Sequence, residues 1–250
     1  MPALTDIKIH AMEAAQRFAR RFGADIVRFN AAKHPVARRL QILKHHQIDT
    51  VLDVGANAGQ FGAELRRYGY RGHIVSFEPL SAAYTKLNKA ARGDPRWNTL
   101  NIGLGDVEGR QTLHVAGNSE SSSIRPMLAL HAEAAPESRY SGEETIVVHR
   151  LDDLFSELCA AAKNIYLKID TQGYEAEVLR GAEKSLPYID TLQVEMSLAP
   201  LYEGQVLFED QFKALRGAGY KLVAVETNFG DSRTGHLLQL DGIFRRECGK

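Results

Sequence analysis

The sequence predicts an α/β protein: a doubly wound, mostly parallel sheet, an antiparallel C-terminal hairpin and an N-terminal helical appendage. Three observations carry this expectation. Short apolar runs recur at residues 50–54, 73–77, 99–104, 164–169 and 191–195, as expected for strands buried on both faces of a parallel sheet. Helix-like segments at residues 60–68, 81–91 and 174–185 separate most of these runs, and alternating β and α units build a parallel sheet. The tail breaks the alternation: residues 220–226 and 237–245 read as two strands joined by the polar, Gly-containing stretch 227–235, which suits an antiparallel hairpin.

Ahead of the first strand, Ile7, Met12, Ala15, Phe18 and Ala19 fall at roughly helical spacing among basic residues, which predicts an amphipathic helix over residues 7–21. A second helix is expected from Pro35, which suits a first helical turn, through Leu40 and Leu43 to His45 and His46. The expected organisation is thus an appendage of residues 1–48 and a main domain of residues 49–250. Within that domain residues 112–115 and 145–148 read as strands around a long Ser-, Glu- and Pro-rich loop. A loop of that length in a compact domain is either disordered or functional.

Composition narrows the functional classes. A chain of 250 residues with 44% hydrophobic content can bury one substantial core. Lys plus Arg and Asp plus Glu both number 31, so no net field gathers phosphate backbones or anionic lipid, and nucleic acid is not an expected partner. Cys159 and Cys248 form neither a disulfide framework nor a metal-ligand pattern, which suits a reducing cytoplasm. No apolar run is long enough to span a membrane, and the first residues do not read as a cleaved signal.

The stretch Asp53-Val-Gly55-Ala-Asn57-Ala-Gly59 follows the first strand and opens a helix, so its glycines permit a tight turn and close approach of a ligand to the backbone. A plain βα turn would carry the same glycines. Glu78 ends the next strand 25 residues beyond Asp53, where a carboxylate can accept from both hydroxyls of a ribose. Both features also fit NAD, but a dinucleotide fingerprint reads GxGxxG, and here Asn57 stands at the second glycine. A side chain there crowds a pyrophosphate. The carboxylate of Asp53 favours a cationic ligand instead, which points to S-adenosylmethionine (SAM). Gly105 and Asp106, after the third run, would let an adenine approach and accept from its amino group, or else form an ordinary turn.

These residues, together with Phe61, Phe77-Glu-Pro79, Ser121-Ser-Ser123, Arg150-Leu-Asp-Asp-Leu154 and Leu167-Lys-Ile-Asp-Thr-Gln-Gly-Tyr-Glu175, resemble the FkbM family of SAM-dependent methyltransferases over roughly residues 49–245. The resemblance implies a class I, Rossmann-like methyltransferase fold. It also implies SAM as methyl donor and, usually, O-methylation of a sugar, glycolipid or polyketide-type natural product. The cofactor set is then Asp53, Gly55, Asn57, Gly59, Phe61, Glu78, Gly105, Asp106 and Ser121.

SAM brings its own electrophile and leaving group, so the enzyme has to align an acceptor hydroxyl and remove its proton. Asp170, at the end of a buried strand, is the expected base, although an Asp before a helix also serves as a cap. Glu195 ends the next strand and could act with Asp170, and the two carboxylates together could hold Mg²⁺ with a sugar diol. Glu175 would orient the loop or stand exposed on a helix. His149 is a further catalytic candidate, or a surface strand residue. Ser121, Ser122 and Ser123 could bond SAM or a sugar hydroxyl from a loop that closes over the site. Two rival readings share parts of this pattern: an NAD(P)-linked oxidoreductase and a catalytically inactive SAM-fold binding protein. The N-terminal helix could pack on the domain, cap the acceptor site or mediate a homodimer.

Overall fold

The computed structural model describes residues 4–247, so Cys248 and the side chain of Ile7 lie outside the described residues. The chain divides into two compact units between His45 and His46. The first contains α1 (Leu4–Arg20) and α2 (Pro35–His45), the latter opening on proline as the sequence predicts. Between them the chain doubles back. Gln16 Nε2 donates to the Ile26 carbonyl at 2.9 Å, Arg20 pairs with Asp25 at 3.3 Å, and Asn30 accepts from the amides of Ala32 and Lys33 in a side-chain-closed turn.

The second unit holds, in chain order, β1 (Thr50–Val54), α3 (Gln60–Arg67), β2 (His73–Phe77), α4 (Ser81–Ala91), β3 (Trp97–Leu100), β4 (Gly103–Leu104), β5 (Gly109–Ala116) and α5 (Ala129–Ala134). It continues with β6 (Tyr140–His149), α6 (Leu151–Leu158), β7 (Ile165–Ile169), α7 (Glu175–Arg180), β8 (Thr191–Ser197), α8 (Phe208–Gly217), β9 (Tyr220–Gly230) and β10 (Leu237–Arg246). Seven strands form one sheet in the order β3-β2-β1-β7-β8-β10-β9. The first five run parallel, and β10 runs antiparallel to both β8 and β9. This is the doubly wound sheet of class I methyltransferases, as expected. Its order reverses at β1, which places the ends of β1, β2 and β7 around a switch-point crevice.

Three expectations are corrected. Residues 99–104 are not one strand: Leu100 ends β3, and Gly103 and Leu104 join β6 and β5 in a separate three-stranded sheet. The break falls at Asn101, whose side chain donates to the carbonyls of Glu78 and Pro79 at 2.9 and 3.0 Å. The helix expected over 174–185 stops at Arg180, followed by Gly181, which lies against the Gly105 backbone so closely that a Cβ would stand 1.9 Å from its carbonyl oxygen. The stretch between the two strands is shorter than expected, because β5 and β6 extend to Ala116 and back to Tyr140 and α5 interrupts it; the Ser-rich residues 117–128 remain turns tied down by isolated bridges at Ser123 and Met127.

The two faces of the main sheet differ. Side chains alternate along a strand, and Leu52, Val54, Val75, Phe77, Leu167, Ile169, Leu192 and Val194 enter one apolar core cluster. The alternate positions form a buried polar row, in which Ser76, Asp53, Lys168 and Gln193 are register neighbours on β2, β1, β7 and β8. Trp97 Nε1 donates to Ser76 Oγ at 3.0 Å, and Ser76 Oγ donates to Asp53 at 3.2 Å. Burying charge in a sheet is costly unless it is paired, and the pairing leads to the strand ends.

Candidate active site

The turn after β1 is held in the left-handed region at Gly55 (φ 75°), Asn57 (φ 45°) and Gly59 (φ 87°). Gly55 admits no side chain, because a Cβ would lie 1.8 Å from the Asp170 carbonyl oxygen. The turn is thus pressed against the end of β7. The amides of Gly55 and Ala56 both donate to the Phe77 carbonyl at 3.1 and 3.0 Å, tying it to β2 as well. Glu78 sits at this junction: one oxygen accepts the Asn57 amide at 2.8 Å, the other the Leu80 amide at 2.9 Å. Burial pushes the Glu78 carboxyl up to about 7, against the pull of those two amides.

Next to the turn, Lys168 Nζ lies 3.4 Å from Asp53, 3.3 Å from Asp170 and 3.2 Å from the Gly55 carbonyl, with the Phe61 ring centroid 5.5 Å away. Burial acts to lower the Lys168 pKa, but the attraction of Asp170, Asp53 and Asp241 outweighs it and raises the value overall. Asp170 keeps a side chain 28% exposed, so it is reachable from the crevice. Glu195 is buried and accepts from Asn228 Nδ2 at 2.9 Å and Gln239 Nε2 at 2.8 Å, donors carried by β9 and β10. Burial, reinforced by the neighbouring Asp170 and Glu175 carboxylates, pushes the Glu195 carboxyl well above its usual range.

Gln172 joins the two acids. Its amide nitrogen donates to Asp170 Oδ1 and Glu195 Oε2, both at 2.9 Å, and its amide oxygen accepts from the buried Tyr202 hydroxyl at 2.7 Å. At Asp170 and Glu195, the pair expected to hold Mg²⁺, the Gln172 N–H donor bridges the two carboxylates. Among the described residues no group of three or more His, Cys, Asp or Glu side chains could hold a metal ion.

The remaining candidates have other partners. Asp53 is fully buried, so its carboxylate compensates Lys168 rather than facing a ligand. Asp106 is held by Arg180 at 2.8 Å, and Gly105 packs against Tyr174 and Val148, a Cβ there falling 3.0 Å from each. His149 pairs with Glu108 at 3.1 Å on the smaller sheet. Glu175 is buried and accepts from the Thr171 and Gly173 amides at 2.9 and 3.1 Å, closing the loop after β7 instead of standing exposed. Ser121 offers its carbonyl to Tyr202 at 3.2 Å. Ser119 and Ser123, not Ser121, bind the strand-end loops, through Asn57 at 3.2 Å and the Gln172 carbonyl at 2.7 Å. Lys168, Gln172, Tyr202, Ser119 and Asn228 were missed as site residues. Lys168 and Gln172 carried a usable signal, since both lie in the Leu167–Glu175 motif and Lys168 is a lone charge in an otherwise apolar run.

The donor set fits SAM. Glu78 has lone pairs left for a diol, and the partly exposed Asp170 carboxylate suits the cationic sulfonium that SAM carries and S-adenosylhomocysteine lacks. Lys168, the cation of the cluster, is engaged by two carboxylates and a carbonyl, which leaves a pyrophosphate poorly matched. A diol donating to Glu78 favours its ionised form, so binding of S-adenosylhomocysteine should tighten as pH rises through about 7. Titration calorimetry from pH 6 to 8 checks this, with Glu78→Gln expected to bind weakly and without the pH slope.

Fold and crevice together define a class I methyltransferase. The methyltransferase FkbM domain family matches residues 53–222, and the chain belongs to that family. Its relatives include the 2-O-methyltransferase NoeI of Sinorhizobium fredii, 27% identical over 191 residues that cover 73% of this chain and 77% of NoeI. The AMB antimetabolite synthetase AmbE of Pseudomonas aeruginosa is 30% identical over 161 residues, 53% of this chain but 8% of that much longer protein. Among solved structures, the Methanococcus jannaschii fibrillarin pre-rRNA processing protein aligns with a TM-score of 0.48 at 13% identity, covering 88% of this chain and 78% of its own.

Proposed function

We propose that this protein transfers the methyl group of SAM to a hydroxyl oxygen of a small-molecule acceptor, a sugar, glycolipid or polyketide-type natural product. The observation that carries the reading is Asp170. Its carboxylate is partly exposed, ends β7 beside the Gly55 turn, and is fixed by Lys168 on one oxygen and Gln172 on the other. The similarity to the 2-O-methyltransferase NoeI supports oxygen as the acceptor atom.

SAM, when bound, supplies an activated methyl and a neutral thioether leaving group. Glu78 accepts the ribose hydroxyls, and the turn 55–59 lets the backbone approach the ligand. Asp170 orients the acceptor hydroxyl and takes its proton as the oxygen attacks. Glu195, held by Asn228 and Gln239, fixes the far side of Gln172 and hence the direction of the Asp170 carboxylate.

Two measurements test this. Titration with S-adenosylhomocysteine and with NAD⁺ should give saturable binding of the former alone. Mass spectrometry of a panel of hydroxylated and amino acceptors incubated with SAM should then show a methyl gain on hydroxyl compounds. Binding of NAD⁺ alone would replace the reading with an oxidoreductase. Methylation confined to amines would overturn the O-methyl assignment.

A further inference from the structure

The zero net charge of the whole chain conceals a strong asymmetry. Residues 1–45 carry nine Lys and Arg against three Asp and Glu, a net +6, while the remaining 205 residues carry 22 against 28, a net −6. The expectation that no field exists to attract anionic lipid is therefore corrected for the N-terminal unit. Charge asymmetry between parts of one chain is a sign of surface or nucleic-acid association.

This unit also exposes large apolar side chains. Phe18 is 65% and Phe22 75% exposed, and their rings meet edge to face at 5.2 Å; Ile26 and Val27 are exposed as well. They interleave with the exposed cations Arg17, Arg20, Arg21, Arg28 and Lys33, against which only Asp25 carries negative charge between residues 17 and 33. Within the unit, α1 and the returning chain enclose an open groove of about 500 Å³, with Met12, Ile26 and Val27 as its apolar lining, Glu13 and Gln16 on α1, and Arg28 and Lys33 on the returning chain. No helix among the described residues is long and apolar enough to cross a membrane.

We propose that the N-terminal unit docks the protein onto an anionic lipid surface, with Phe18, Phe22, Ile26 and Val27 entering the headgroup region and the surrounding Arg and Lys side chains pairing with lipid phosphates. Apolar residues beside a basic face bind at an interface by buried area plus electrostatic attraction, and neither part alone holds well. A nucleic acid would use the cations but would leave two adjacent phenylalanines and the aliphatic pair in water. Lipid uses both. This inference rests on the N-terminal unit and does not depend on the acceptor or on the catalytic reading.

The test uses the full chain and extruded vesicles of phosphatidylcholine, alone or with about one-third phosphatidylglycerol, separated by sedimentation. Wild-type protein should partition onto the anionic vesicles at least about tenfold more strongly than onto neutral ones, and should lose most of that preference at high salt. A Phe18→Ser, Phe22→Ser variant and an Arg17→Glu, Arg21→Glu variant should each bind about tenfold less. An unchanged melting transition and unchanged S-adenosylhomocysteine titration would show that the main domain is intact. The proposal is overturned if wild type ignores anionic vesicles, if both variants bind like wild type, or if the phenylalanine variant instead abolishes a salt-insensitive dimer in ultracentrifugation. Salt-sensitive binding to a duplex oligonucleotide that the phenylalanine variant leaves intact, with no vesicle binding, would assign the unit to nucleic acid.

Discussion

Replacing Asp170 by Asn is expected to lower kcat by about a hundredfold to ten-thousandfold, the range supplied by a positioned general base, while S-adenosylhomocysteine binds within about twofold of wild type. The asparagine keeps the size of the side chain but cannot take a proton. Because Glu78 and the Gly55 turn are untouched, the loss should fall on kcat and leave the cofactor affinity in place. Single-turnover methyl transfer at saturating SAM, paired with calorimetry, separates the two quantities. An Asp170→Asn enzyme with wild-type kcat would remove the carboxylate from the mechanism and leave positioning as the source of rate.

The largest effect on stability is expected at Lys168. Lys168→Met takes the cation from a cluster in which Asp53 is fully buried, and breaking a buried pair from one side costs about 3–5 kcal/mol. For a domain of this size that lowers Tm by about 10 °C. The pH dependence follows from Asp53. Burial raises its carboxyl, and Lys168 is the main group opposing that rise. Without Lys168 the native state holds the Asp53 proton to higher pH than the unfolded chain does, so the variant is least destabilised at low pH and loses stability as pH rises. The gap to wild type should therefore widen between about pH 5 and pH 8 in thermal melts. Adding Asp53→Asn should recover most of the loss, because both charges are then gone and only polar groups remain to satisfy.

Much of the architecture was legible because the relevant physics is local. β1 and β2 fall where short apolar runs meet glycine or a strand-end acid, and α4 matches its predicted span, since these signals depend on neighbouring residues. The division of residues 99–104 was not legible, because it depends on Asn101 reaching carbonyls more than twenty positions earlier. The site divides in the same way. The turn, Glu78 and Asp170 are strand-end features that short motifs report. Gln172 gains its meaning from Glu195 and Tyr202, 23 and 30 residues away, and no spacing along the chain announces such a meeting. Averaging charge over the whole chain hid the basic N-terminal unit, which a count by segment displays at once.

The position of β10 between β8 and β9 bears on how the protein is assembled during synthesis. β9 leaves the ribosome before β10, and in the sheet its one strand neighbour is β10. The β8 edge that faces β10 lacks its partner strand until residues 237–246 are available, and pairing across that separation slows folding. Asn228 and Gln239 are the two donors that these last strands bring to Glu195. The turn after β1 and Glu78 draw on residues made early, whereas the surroundings of Glu195 are complete only when β9 and β10 are both in place.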